Sequence, residues 1–168
     1  MAYTPTTPIA GIQPIAGAAA TGTTNHPLGT ILEGYDPTFG GGKFIYLLGV
    51  ASNTVGSLVT YNQLTGAVTL AATTGNQDRP LAVSMNANTS TTTGSWYQVS
   101  GAAVIKKIAI KVSPNVPLFL NGSGRVTSTA SAGKQLVNAI SVNAATVASA
   151  TSTVTTQVQF PFAQGQVT

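Results

Sequence analysis

Charged residues are scarce in this sequence, and cysteine is absent. The 168 residues include seven Lys or Arg and three Asp or Glu, so 6% are charged and the net charge is +4. An average soluble domain has about 25% charged residues. Without cysteine the chain has no disulfide, no thiolate metal ligand and no cysteine nucleophile. Because a free monomer relies on surface charge for solubility, this composition predicts that much of the surface contacts other chains.

Side chains that carry catalysis are equally few. The acidic residues are Glu33, Asp36 and Asp78, and the single histidine is His26. His26 lies in the segment TTNHPLG without a G-x-S-x-G motif elsewhere, which favours a solvent-facing turn histidine over a catalytic one. The acids lack the spacing of a calcium loop, and the chain contains neither a P-loop nor a G-x-G-x-x-G motif. We therefore predict that the protein is not an enzyme and binds no cofactor or metal ion.

Long apolar runs and a dense basic surface are also missing. No run of about 18 apolar residues is present, so no membrane helix is predicted. The first basic residue is Lys43, so the basic region of a secretory signal is not expected. The few basic residues do not form the concentrated positive face of a nucleic-acid-binding protein. Neither a membrane nor a nucleic acid is therefore a predicted partner.

Residues 1–42 differ in composition from the rest of the chain. Prolines recur there, and the tetrapeptide PIAG occurs at 8–11 and again at 14–17. Neither the period of a strand nor that of a helix persists. We predict an extended N-terminal arm, ordered by a partner or by the protein's own β-domain, with a flexible join at 34–42. Deleting this arm is expected to weaken partner binding while the β-domain at 43–168 stays folded.

The remainder of the chain has the pattern of consecutive β-strands. Turn residues recur every 8 to 12 positions, with strong hairpin signals at Thr65-Gly66 and Asn121-Gly122 and a bulge signal at Gly101. Only 128–139 has a helical pattern, which Gly133 weakens. The predicted strands are 44–51, 57–62, 67–72, 80–86, 96–100, 102–113, 116–120, 125–128, 135–142 and 153–162. The fold class is therefore all-β, a β-sandwich or jelly-roll-like barrel with a docked C-terminal strand.

Two segments beyond the arm are candidates for contact with a partner. In the basic segment VIKKIAIKV, Lys107 and Lys111 share one face of the predicted strand, which is either solvated or bound to an acidic surface. The C-terminal segment VQFPFAQGQVT is apolar, so it docks either into the protein's own core or onto a neighbour. The candidate interface residues are Tyr3, Pro5, Ile9, Ile12, Ile15, Lys107, Lys111, Phe160 and Phe162.

Several segments between Gly34 and Gln166 resemble those of a known protein family in their residues and in their order along the chain. They are GGGKFIYLLGVASNTVGSLVTYN, TGAVTLA, RPLAVSMNANT, GSWYQVSGAAVIK, VPLFL, NGSGRVTSTASAGKQ and PFAQGQ. Together they resemble the capsid decoration or cement proteins of tailed bacteriophages. The resemblance implies a structural virion protein, made in the host cytoplasm, that binds the outer surface of the major capsid protein shell. It also implies a homodimer or homotrimer and supplies no catalytic residue.

Other functions remain as alternatives to capsid decoration. The chain could be a tail or head-fibre β-module, or a glycan-binding virion protein. A sugar site needs exposed aromatic rings with polar neighbours, and the sequence offers Trp96, Tyr97 and Tyr61 for that role. A hydrolase that uses His26 is the least favoured alternative.

Overall fold

A computed structural model describes residues 1–8, 11–19 and 21–165, which form strands and no helix. The all-β class predicted from the sequence is confirmed, and the arrangement is consistent with a β-sandwich. None of the described residues belongs to a helix that could cross a membrane. The strands are β1 (Thr4–Pro5), β2 (Ile31–Asp36), β3 (Gly40–Leu48), β4 (Leu58–Tyr61), β5 (Val68–Leu70), β6 (Leu81–Ser84), β7 (Gly94–Lys106), β8 (Pro117–Leu120), β9 (Val126–Thr127), β10 (Gln135–Ser141) and β11 (Thr153–Ala163).

All the strands belong to one antiparallel sheet. Its main path runs β1-β2-β3-β7-β11-β10-β8-β9. Three strands lie off this path: β4 pairs with β5 and β6, and β6 pairs with β7. The predicted hairpin turns at Thr65-Gly66 and Asn121-Gly122 are confirmed, since they connect β4 to β5 and β8 to β9. The helical pattern at 128–139 forms no helix, and β10 begins within it.

The central strand β7 is a single strand of 13 residues with an irregularity in its middle. The register against β3 shifts between the pairs Lys43↔Ser100 and Phe44↔Gln98, so the predicted bulge is present. Gly101 follows it with φ of 100°. A Cβ atom there would lie 2.5 Å from the carbonyl oxygen of Gly41, so only glycine fits this bend.

Three clusters of buried apolar side chains hold the layers together. The first lies among β4, β6, β7, β8, β10 and β11, and contains Leu58, Ile105, Leu118 and Val158. The second lies on one side of β3 and β7 under the N-terminal segment, and contains Ile15, Phe44 and Trp96. The third lies on the opposite side of β3 and β7 under β4 to β6, and contains Ile45, Val59 and Tyr97. Burial on both sides explains the continuous apolar run in β3.

The N-terminal segment packs against the β-domain of its own chain. β1 pairs with β2, and the side chains of Tyr3 and Ile15 are buried in the second cluster. The stretch 34–42, predicted as a flexible join, instead belongs to the hairpin of β2 and β3, whose residues pair in register. The predicted boundary between residues 42 and 43 therefore falls inside β3.

The phenol of Tyr97 makes the stability of the fold depend on pH in the alkaline range. The side chain is buried, its hydroxyl donates to the carbonyl oxygen of Leu48 at 2.9 Å, and burial raises its pKa from 10.0 to about 12. Because the pKa is higher in the folded than in the unfolded protein, the neutral phenol stabilises the folded state fully below pH 10. This stabilisation is lost as pH rises towards 12. The expected loss is about 3 kcal/mol. Urea unfolding between pH 8 and 12 measures it.

The matched variant for this prediction is Tyr97→Phe. It is expected to be less stable than the parent chain at pH 8 but to lose less stability on going to high pH. An equal pH dependence in the two proteins would contradict the role assigned to Tyr97.

Candidate functional site

The described residues contain no cluster with the composition of a metal site. No group of three or more His, Asp or Glu lies together among them. Asp36 is buried and ends a strand: its carboxylate accepts the backbone N–H groups of Ala2, Thr38 and Phe39. Burial opposes ionisation, but these donors hold the pKa of Asp36 below its usual range. This acid stabilises a turn.

His26 is buried, so the expectation of a solvent-facing turn histidine is wrong. Its Nε2 atom accepts the backbone N–H of Gln13 at 3.1 Å. Its ring lies 5.1 Å from the ring of Tyr46 and 5.4 Å from that of Trp96. Through these contacts the histidine holds the N-terminal segment against the sheet.

Gln13 makes the central hydrogen bonds between the N-terminal segment and the sheet. The indole of Trp96 donates to the backbone oxygen of Gln13 at 3.1 Å, and the hydroxyl of Tyr46 donates to its Oε1 at 2.9 Å. Asn25 donates to the same Oε1 at 3.2 Å. Gly94 makes room for this arrangement, because a Cβ atom there would lie 2.4 Å from the Tyr46 ring. Sequence reasoning missed Gln13, since a glutamine between two PIAG repeats carries no local signal of burial.

Two of the five candidate interface residues of the arm, Tyr3 and Ile15, lie in the protein's own interior. Tyr3 packs at 4.9 Å against the ring of Phe44 and donates from its hydroxyl to the carbonyl oxygen of Ala102. Ile15 is fully buried, whereas Ile12 and Pro5 are half-buried. Ile9 lies outside the described residues. Tyr3 and Ile15 are therefore unavailable to a partner while the segment stays docked.

Lys107 is buried, and the expected solvated strand face does not exist at this position. The side chain is 3% exposed, because β7 ends at Lys106 and the following turn wraps around the ammonium group. Its Nζ donates to the carbonyl oxygens of Ile110 at 2.6 Å and Ala148 at 3.0 Å. Burial lowers the pKa of Lys107. Lys111, by contrast, is exposed.

Replacing Lys107 tests whether the ammonium group is structural. Lys107→Met leaves the carbonyl oxygens of Ile110 and Ala148 without their donor, so we expect a loss of about 2 to 4 kcal/mol of stability. The matched control Lys111→Met removes an exposed charge and is expected to stay within about 0.5 kcal/mol of the parent chain. Urea unfolding measures both, and equal stabilities of the two variants would contradict the structural role.

The C-terminal strand pairs with β7 and β10, and it has an unusual residue near its end. Phe160 is 43% exposed and has φ of 45°, opposite a register shift in β10 where Asn138 has φ of 59°. A bulky residue at positive φ is rare and marks a strained position. Phe162 is half-buried and bridges to Pro80. The strand is thus docked in its own sheet while the ring of Phe160 remains exposed.

The aromatic side chains named for sugar stacking are not available for it. Trp96 and Tyr97 are fully buried, and Tyr61 is half-buried against the third cluster. Both fully buried rings are core residues. The most exposed aromatic ring among the described residues is instead Tyr35 of β2, at 54%.

One broad side of the sheet is left open across five strands. Direct cross-strand partners point to the same side of a sheet. One row of partners runs from Glu33 through Lys43 and Ser100 to Gln159, and a second runs from Ala102 through Gln157 to Ile140. We call this surface the outer face; its residues are Glu33, Tyr35, Gly41, Lys43, Ser100, Ala102, Val104, Lys106, Ile140, Val142, Gln157 and Gln159.

The outer face carries few charges and is partly apolar. Two of its three charged residues, Glu33 and Lys43, form an ion pair at 3.1 Å, and the third, Lys106, donates to the hydroxyl of Thr54. Ile140 and Val142 are 40% and 39% exposed on the β10 side. Exposed apolar side chains on a face with few charges are typical of a surface that contacts another protein. Sequence reasoning missed this surface, because the strand pairing that assembles it is non-local.

Comparisons with protein-family models, with curated proteins and with solved structures found no match for this chain. Support for a function therefore comes from the composition, from the geometry above and from the resemblance carried by the sequence.

Proposed function

We propose that this protein is a structural virion component, a decoration protein that binds the outside of a tailed-phage capsid shell and stabilises it. It would act as a homodimer or homotrimer on the outer capsid surface. The observation that carries the proposal is the outer face, which combines low charge with the exposed apolar residues Ile140 and Val142. The resemblance to cement proteins supplies the kind of partner.

The geometry supports a role in rigid attachment. The sheet ties the N-terminal segment to the core through Gln13, and the C-terminal strand pairs on both edges. A protein that joins neighbouring capsid subunits must resist deformation, and its many weak contacts gain strength because several copies bind together. A cement protein needs no catalytic group.

The N-terminal segment has a different role in this proposal than the sequence predicts. Its apolar residues Tyr3 and Ile15 are occupied in the protein's own core. We therefore assign shell contact chiefly to the outer face and to Phe160, with Lys111 as an exposed residue that could add a contact to an acidic surface.

Binding to purified shells tests the proposal. We expect the full chain to sediment with empty capsid shells of its phage at a fixed stoichiometry and to raise the temperature at which the shells rupture. Light scattering on the free chain gives its oligomeric state. Failure to sediment with shells, at protein concentrations well above those of the capsid subunits, would refute the proposal.

A further inference from the structure

A groove lies at one end of the outer face, where β2 and β3 form their hairpin. Its volume is about 350 Å³, at the small end of the range for ligand sites. Its lining includes Thr6, Glu33, Tyr35, Gly41, Lys43 and Ser100. We propose that this groove binds a neutral carbohydrate, roughly one or two sugar rings in length.

The aromatic wall and the open floor of the groove come from one cross-strand pair. Tyr35 of β2 is paired directly with Gly41 of β3. Because Gly41 has no side chain, and a Cβ atom built there would meet nothing within 4 Å, the space beside the Tyr35 ring stays empty. A ring that is 54% exposed beside open space offers the flat apolar surface against which the C–H face of a sugar packs.

The polar groups of the groove match hydroxyl groups better than a charged ligand. The carboxylate of Glu33 accepts hydrogen bonds and the ammonium group of Lys43 donates them, while their pairing at 3.1 Å leaves no net charge. Both side chains are about half exposed, at 61% and 46%. An anion would be repelled by Glu33 and a cation by Lys43. Polar groups placed beside an apolar wall are what orients a small ligand.

The groove does not offer the backbone groups that capture an extended peptide. Adding a strand requires free N–H and C=O groups along a sheet edge. At the adjacent edge of β2, the N–H of Thr6 donates to the carbonyl oxygen of Glu33, and the N–H of Glu33 donates to the hydroxyl of Thr7. The chemistry of the groove therefore favours a sugar over a peptide.

Nuclear magnetic resonance of the full chain tests this inference with a panel of neutral disaccharides and a sialylated one. We expect at least one neutral sugar to cause saturable shifts confined to amides of the β2–β3 hairpin. Gly41→Val, whose Cβ atom would meet nothing within 4 Å, and Tyr35→Ala are each expected to weaken binding at least tenfold, roughly the worth of a ring contact. Leu64→Ala, in the turn after β4, should leave it unchanged.

Three results would overturn the inference. No neutral sugar causes a saturable shift, only the sialylated sugar binds, or Gly41→Val binds the neutral sugar as tightly as the parent chain does. Binding is measured on the free chain, so the outcome is independent of whether the protein attaches to a capsid shell. Retained thermal stability of Gly41→Val shows that any loss of binding comes from the filled groove.

Discussion

Placing two positive charges on the outer face, by Ile140→Lys with Val142→Lys, is expected to lower affinity for capsid shells at least about hundredfold. Both side chains are about 40% exposed in the free protein, so the free chain accommodates the lysines in water. In a complex each ammonium group would lose water without gaining a partner, which costs about 2 kcal/mol or more per group. Sedimentation with shells at a series of protein concentrations measures the change.

The control for this variant is Leu64→Lys, which adds one positive charge at a residue that is 93% exposed outside the outer face. It is expected to bind shells like the parent chain. All the variants should unfold at similar urea concentrations, because none of the substituted side chains is buried. If the double variant binds shells as tightly as Leu64→Lys, the outer face is not the contact surface.

Deleting residues 1–42 is expected to unfold the protein, and this replaces the expectation from the sequence that the β-domain at 43–168 would stay folded without them. The deletion removes β1, β2 and the start of β3, together with the buried side chains of Tyr3, Ile15 and Leu32. Losing a large buried side chain costs about 2 to 5 kcal/mol, and a whole domain is stable by only about 5 to 15 kcal/mol. Circular dichroism and thermal melting of the truncated chain measure the outcome. A cooperative transition at the parent temperature would contradict it.

A graded version of this experiment is Gln13→Ala. The change leaves the buried hydroxyl of Tyr46 without its acceptor on Gln13. We expect a loss of about 1 to 3 kcal/mol with the fold retained. Increased proteolysis within the first 20 residues would show that the segment has become undocked. No change in stability or proteolysis would contradict the role of Gln13.

The strands of this protein were predictable because their signals are local. The turns at Thr65-Gly66 and Asn121-Gly122 follow from residues that favour tight hairpins, and the bulge near Gly101 follows from the cost of glycine inside a strand. These features depend on a few adjacent residues. The all-β class then follows from their spacing.

The candidate site depended on contacts that local patterns do not encode. The outer face exists because β7 lies between β3 and β11, although 46 residues of sequence separate the end of β7 from the start of β11.

 Those 46 residues are positions 107–152, from the end of β7 to the start of β11. The burial of Lys107 also depends on a distant contact, because its carbonyl partner on Ala148 lies near the end of this segment. A pattern of alternating residues gives no information on such distant pairing.

The order of the N-terminal segment was also not predictable from local patterns. Its composition is that of an arm without regular structure, and β1 is only two residues long. Its order comes from tertiary contacts: Ile15 is buried against the sheet, and the backbone oxygen of Gln13 accepts a hydrogen bond from the indole of Trp96. Segments with weak intrinsic preferences take their structure from such contacts, which a single sequence does not reveal.

The central claim, attachment to a capsid shell through the outer face, is tested most directly by cryo-electron microscopy of shells mixed with the full chain. The account predicts additional density at regular positions outside the shell, fitted by the β-domain with Ile140 and Val142 turned towards capsid or neighbouring decoration subunits. Shells without added density, or a bound β-domain whose outer face is turned to solvent, would contradict it.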